Sequence, residues 1–259
     1  MEYLIGLGLA FGVTTFAAGA GFARSRNFYP VMLTVIASYY MLFAVQAADA
    51  GSLVLEAWIL CGFLCLAVAG FRWNLWLVVA GLLGHGALDL VHPHWLPASG
   101  APTWWPPFCL AYDVAAAACL AVRLLPPSPP AIAAELSAAE ACERRGRPGE
   151  AFTHLERAHV LGQRSTLEHV RAHVRMLRWG LRRRDPREAG GQLIRILGAA
   201  TKTTFGLVPP GNTGGSRVSA FRPLPIPQEL AAIMAANPPT SWRDQMAAAW
   251  RAGASGQAI

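Results

Sequence analysis

Between Tyr3 and Leu125 the chain runs in long apolar blocks interrupted at a few polar points. From Ala131 onward apolar residues instead recur every three to four positions. Crossing a hydrocarbon core of about 30 Å takes roughly 20 mostly apolar residues. Five stretches meet that length: about Tyr3–Phe22, Tyr29–Ala48, Leu53–Phe71, Trp73–Val91 and Pro107–Leu125. The second pattern predicts amphipathic helices. Ala131–Arg145 and Gly149–Leu161 form one pair turning at Gly146-Arg147-Pro148, and Thr166–Arg184 and Pro186–Ala199 a second pair turning at Arg184-Asp185-Pro186. The two pairs share Pro, Glu, Ala, Leu and Arg at an offset of 38 residues, near the tetratricopeptide period. The expected fold class is therefore all-α, a five-span transmembrane bundle followed by a tetratricopeptide-like cytoplasmic helical domain. The pattern divides the chain into a membrane domain (1–125), a proline-rich linker (126–130), a helical domain (131–236) and a weakly ordered tail (237–259) with one short helix near Trp242–Ala252.

Charge adds a topology. The chain carries +7 overall, yet up to Leu125 it holds only four basic residues, all arginine, against five acids. The positive excess lies in the second half. Arg24 and Arg26 fall between spans one and two, Arg72 between three and four, and Arg123 at the end of five, while the opposite loops hold no Lys or Arg. Because cytoplasmic loops retain the basic residues, the N-terminus is expected outside and the basic domain in the cytoplasm, in a multi-pass protein of the cell inner membrane. The first span lacks a basic n-region and is longer than a usual signal-peptide core, so it reads as a retained helix. Trp73, Trp76, Trp95, Trp104 and Trp105 fall at expected interfaces. The five cysteines show no CxxC spacing and no disulfide framework.

Ionisable residues within spans are costly and usually face the bundle interior. His85, Asp89 and His92 follow i, i+4, i+7 and share one helix face; the next span brings Cys109 and Asp113, again i, i+4, with Asp113 at a depth similar to His85. Imidazole and carboxylate ligands suit zinc, copper or iron, so His85, Asp89, His92 and Asp113 are candidate ligands, with Glu56 as an outer partner. A proton relay and a purely structural His–Asp pair are the competing readings. His94, beyond Pro93, reads as an interfacial residue.

In the second half, His169 and His173 are i, i+4 on one helix and His159 ends the helix before it, a second possible metal site or a set of packing residues. The run Pro209–Arg217 is glycine-rich but lacks the Gly-Lys-Ser/Thr ending of a phosphate loop, and reads as a turn or docking loop. The arginines of the Arg171–Arg184 helix suit anionic lipid headgroups beside the bilayer better than nucleic acid.

The stretch His154-Leu155-Glu156-Arg157-Ala158-His159-Val160-Leu161-Gly162-Gln163, followed by Gly211-Asn212-Thr213-Gly214-Gly215-Ser216 and Pro223-Leu224-Pro225-Ile226-Pro227, resembles a small bacterial family of uncharacterised proteins over about Glu135 to Leu230. The resemblance implies a domain type and no activity. The membrane half is similar to uncharacterised bacterial membrane proteins with a His–Asp–His and Trp-Trp-Pro pattern. Transition-metal handling leads among the functions expected. A membrane-anchored scaffold recruiting a cytoplasmic protein is the alternative, and an enzyme ranks third for want of a nucleophile or cofactor motif.

Overall fold

The computed structural model describes residues 1–96, 100–203, 206–238 and 242–255. These form eleven α-helices and one 3-10 turn, with no strand among the described residues. Two compact units emerge, one of residues 1–126 with the C-terminal segment from Ala247, the other of residues 127–246. Ser99, residues 239–241 and residues 256–259 of the expected tail lie outside the described residues.

The first unit contains α1 (Glu2–Gly19), α2 (Phe28–Ala47), α3 (Ala50–Arg72), α4 (Trp76–Trp95) and α5 (Trp105–Leu124). All five are long and apolar enough to cross a membrane. The unit is apolar outside and polar at selected points inside. Leu4, Phe11, Val35, Val54, Val68 and Leu90 are exposed, whereas Glu56, His85, Asp89, His92 and Asp113 are buried. Water would reverse that order, and a hydrocarbon surround accounts for it. Helix boundaries follow local chemistry. The Asp49 side chain accepts from Ser52 N–H at 2.9 Å and starts α3 earlier than its apolar block alone suggests. Pro106 and Pro107 enter α5 in its first turn, where their missing N–H groups cost nothing. Helix α4 runs on through Pro93 to Trp95, because a proline in the last turn forfeits only one backbone bond. Close approach of α1 to α5 requires Gly6, where a Cβ would lie 2.1 Å from the Phe108 carbonyl oxygen.

The C-terminal end of α11 (Trp242–Ala254) docks on the arginine-bearing end of this bundle. Asn74 Nδ2 donates to Trp250 O at 3.1 Å, Trp76 Nε1 to Ala249 O at 2.8 Å, and Leu75 N to Gly253 O at 3.0 Å. Arg26 donates to the carbonyls of Gly253 and Ser255 at 3.1 and 2.9 Å, a cation on the carbonyls of a helix C-terminus.

In the second unit α6 (Pro130–Arg144) packs on α7 (Pro148–Gly162), α7 on α8 (Thr166–Arg183), and α8 on α9 (Pro186–Lys202). Pro148 and Pro186, the 38-residue pair, both occupy the first helical position of their helices. Ile132, Leu136, Leu155, Ala158 and Met176 form the core, with Phe152 and Trp179 against it. Gly180 lets α9 approach, since a Cβ there would lie 3.0 Å from Ala189 N. A long loop then leads to α10 (Gln228–Ala236), an element that no strong periodicity announces.

Candidate metal centres

In the second unit a tight turn carries α7 into α8. Gly162 packs its bare Cα on Glu168, and the Ser165 side chain accepts from Glu168 N–H to start the new helix. This turn places His159, near the end of α7, opposite His169 and His173 on one face of α8. All three imidazoles are buried. His173 Nε2 lies 3.2 Å from His159 Nε2 and 3.1 Å from His169 Nε2.

The outward nitrogens fix the tautomers. His159 Nδ1 lies 2.9 Å from the Asn212 carbonyl oxygen, which can only accept, so Nδ1 carries the proton. His173 Nδ1 lies 2.6 Å from Gln192 Oε1. Gln192 spends its amide hydrogens on the Glu188 carboxylate at 2.6 Å and the Gly214 carbonyl at 2.9 Å, so Oε1 must accept from His173. Both Nε2 atoms therefore turn lone pairs toward each other. His169 Nδ1 meets the Thr203 hydroxyl at 2.6 Å, and a hydroxyl serves either tautomer. Even with His169 donating to His173, the contact between His159 and His173 remains lone pair against lone pair. Protonation does not relieve it at neutral pH. Burial, then the neighbouring histidines, hold His159 well below the ordinary range. Burial, with Arg195 nearby, lowers His169 to about 4. Burial and His169 lower His173 to about 3. A metal cation placed among the three nitrogens would resolve the conflict. Nitrogens about 2.0–2.1 Å from a tetrahedral zinc ion stand about 3.3 Å apart, close to the two spacings that His173 makes.

The glycine-rich loop is part of this centre. It supplies the Asn212 and Gly214 carbonyls, and a Cβ on Gly214 (φ +83°) would lie 2.6–2.8 Å from the His159 ring. Its Ser216 donates through N–H and hydroxyl to Glu188 at 3.1 and 2.5 Å, which fixes Gln192 in turn. The loop thus holds two of the three imidazoles, His159 directly and His173 through Gln192, a more specific role than the docking turn its sequence suggests.

In the first unit His85 Nδ1 lies 2.7 Å from Asp113 Oδ2 and 3.8 Å from Asp89 Oδ2. Cys109 Sγ stands 3.9 Å from His85 Nδ1 and joins the three as a fourth possible ligand. Tyr40 donates to Asp89 Oδ1 at 2.6 Å. His92 stands apart from this group and shares a 2.5 Å hydrogen bond with Glu56, its ring stacked on Tyr40 at 3.8 Å. Gly86 admits α5, since a Cβ there would meet Leu110 at 3.2 Å and Asp113 at 3.5 Å. His85 Nε2, Asp89 Oδ2 and Asp113 Oδ1 are buried with no hydrogen-bond partner. His94, at the end of α4, is exposed, and His154 bonds Glu135 at 2.7 Å, away from the three-histidine group.

The sequence brings out all three histidines and the His85, Asp89, Asp113 set. It misses Cys109 as a member, and Tyr40, Gln192, Thr203 and the loop carbonyls as supports. Only the glycine-rich loop carries a local signal.

Residues 128–234 match the model of a family described as a protein of unknown function (DUF3703), a span that includes the three histidines, Gln192 and the loop through Ser216. No curated protein and no solved structure matches the chain.

Proposed function

We propose that this is a membrane protein that handles a divalent transition metal, in transport, sensing or delivery, with His159, His169 and His173 as its main centre. The observation that carries the reading is the convergence of three Nε2 atoms, two of which, on His159 and His173, are fixed as acceptors by their Nδ1 partners and face each other lone pair to lone pair. Metal-bound histidines commonly donate their second N–H to such an acceptor, which fixes the ring and raises its basicity. Neutral imidazoles suit zinc, copper or iron, and three ligands with one open side fit an exchangeable ion better than a closed structural site.

His85, Asp89, Cys109 and Asp113 form a second candidate site within the bundle, and their unpartnered atoms support that role. The succession Asp113–His85, Asp89–Tyr40 and His92–Glu56 also supports a proton path through the same interior. In the bacterial inner membrane that the family resemblance implies, the arginine distribution favours an orientation with the N-terminus outside and the second unit in the cytoplasm. A reporter fused after Pro130 then reads cytoplasm and one inserted near Ser99 reads the outer side. Reversed signals overturn that orientation.

The test of the main centre is metal analysis of the purified full chain beside a His169→Ala/His173→Ala variant. Bound zinc, copper or iron in the first and its loss in the second is the expected result. A folded wild type that takes up no metal from replete buffer overturns the reading.

A further inference from the structure

The three imidazoles close only one side of their centre. The other side opens on a cavity of about 160 Å³ with apolar walls from Leu207, Val208 and Phe221. Among the described residues that line it, Arg195 is the only Lys, Arg, Asp or Glu. It is half-buried, with one nitrogen donating to the Val218 carbonyl. Its guanidinium is near enough to disfavour protonation of all three histidines.

A dication on three neutral ligands beside a guanidinium gathers three positive charges where none of the described lining residues is a carboxylate. Glu188 offsets part of the Arg195 charge from a distance, but its oxygens are held by Gln192 and Ser216 and it is not among the residues that line the cavity, so it offers the metal no ligand. Charge concentrated away from water is costly unless an opposite charge joins it. A cavity opening on the free coordination side gives such an anion room.

We propose that this cavity binds a small carboxylate from outside the chain, one oxygen completing the metal's coordination and the group paired with Arg195. The proposal deepens the metal reading above and rests on it. A carboxylate is favoured because its two oxygens can serve a metal and a guanidinium together, and Arg matches that planar geometry. The apolar walls take a short alkyl tail. Arg195 is then the specificity determinant for the anion, while the histidines hold the metal.

The full chain in detergent, freed of metal and loaded with Co(II), provides the test, because the visible bands of Co(II) report its ligands. Acetate and then butyrate are titrated in a non-coordinating buffer. Both shift the bands saturably, and butyrate binds more tightly, by about fourfold for each methylene that reaches the apolar wall. Arg195→Gln weakens acetate by about tenfold or more but leaves Co(II) affinity without acetate equal or higher, because a like charge has been removed. Arg195→Lys, which keeps the charge without the planar fork, falls between them and serves if the Gln variant does not fold. Bands that neither acid moves, or one acetate affinity across all three proteins, overturn the proposal while leaving the metal centre standing. Failure of the wild type to bind Co(II) removes the centre and the proposal together.

Discussion

The two buried histidine clusters differ in what their polar atoms already have. Within the membrane-spanning unit, His85 faces Asp113 and His92 faces Glu56, each imidazole beside a carboxylate that completes a hydrogen bond. Such pairs can lock helices together without a ligand, which keeps a structural reading open. In the second unit no carboxylate among the described residues bonds the three imidazoles. Their outward nitrogens are engaged, and the inward ones face each other. The comparison teaches that burial and clustering are weak arguments for a metal, whereas polar atoms that cannot satisfy one another are a strong one. The spans attract attention first because charge in hydrocarbon is rare, yet the firmer centre lies in the helical domain.

The largest effect expected is on that centre. His169→Ala/His173→Ala lowers zinc affinity by about a thousandfold or more, since two of three ligands are lost, and abolishes the rise in melting temperature that zinc gives the wild type. His154→Ala changes neither, because His154 serves Glu135. Competition against a chromophoric chelator measures both. An unchanged zinc shift in the double variant places the ion elsewhere and erases the contrast between the clusters.

Next comes the membrane pair. His85→Ala leaves the Asp113 carboxyl without its 2.7 Å partner in an apolar interior, and removing one member of a buried pair costs about 3–5 kcal/mol. His85→Leu/Asp113→Leu recovers most of that loss in a melting experiment in detergent if the pair is structural. Loss of one metal equivalent from the full chain in the same double variant would instead make this cluster a binding site.

Outer-shell changes are smaller. Gln192→Ala frees His173 to switch tautomer, and lost second partners typically lower metal affinity 10–100-fold. Gly214→Ala is expected at the upper end, since its methyl would collide with the His159 ring from a backbone at φ +83°. Wild-type affinity in both variants would mean that the loop only packs.

The pH response sharpens the same contrast. His169 at about 4 and His173 at about 3 do not bind protons in the folded state until acid conditions. Zinc affinity should hold nearly level from pH 7 to about 5, where ordinary histidines of pKa about 6.5 would already lose it. For the metal-free protein the sign follows from lowered folded-state values. The neutral histidines contribute their full stability above about 6.5, and that contribution is lost as the unfolded chain gains protons while pH falls toward 4 and then 3. Melting temperatures from pH 7 to 4 without metal should decline, and a flat profile would contradict the burial argument.

Much of the fold is legible because lipid and water impose periodicities. The five spans follow from unbroken apolar length, and α6 to α9 follow from helical spacing and from prolines at helix starts. Helix α10 and the docking of α11 are not legible, because Asn74, Trp76 and Arg26 meet backbone carbonyls more than 170 residues away. The same physics divides the site. His169 and His173 are visible as i, i+4 on one helix. Gln192 resembles any polar helix residue until α9 packs on α8, and a backbone carbonyl such as that of Asn212 has no sequence signature. Cys109 sits in an apolar run where a thiol reads as a small packing residue.

The smallest expected effect concerns the basic face of α8. Arg175 and Arg182 are already paired with Glu140 and Glu143 on α6, so fewer arginines are available to anionic headgroups than the sequence implies. Arg183 is exposed. A nearby basic residue contributes about 1 kcal/mol to binding an anionic surface. A fragment of residues 127–246 should therefore bind phosphatidylserine vesicles weakly and lose binding as salt rises, because screening shortens the reach of exposed charge. Arg183→Glu should reduce vesicle binding about fivefold or more at low salt without moving the melting temperature. Arg182→Glu should reduce both, since the new carboxylate would oppose Glu143 where an ion pair stood. Equal binding by wild type and Arg183→Glu in a sedimentation assay would show that this face does not meet lipid. The arginines would then serve to join α8 to α6, a role that the Arg182 melting shift measures independently.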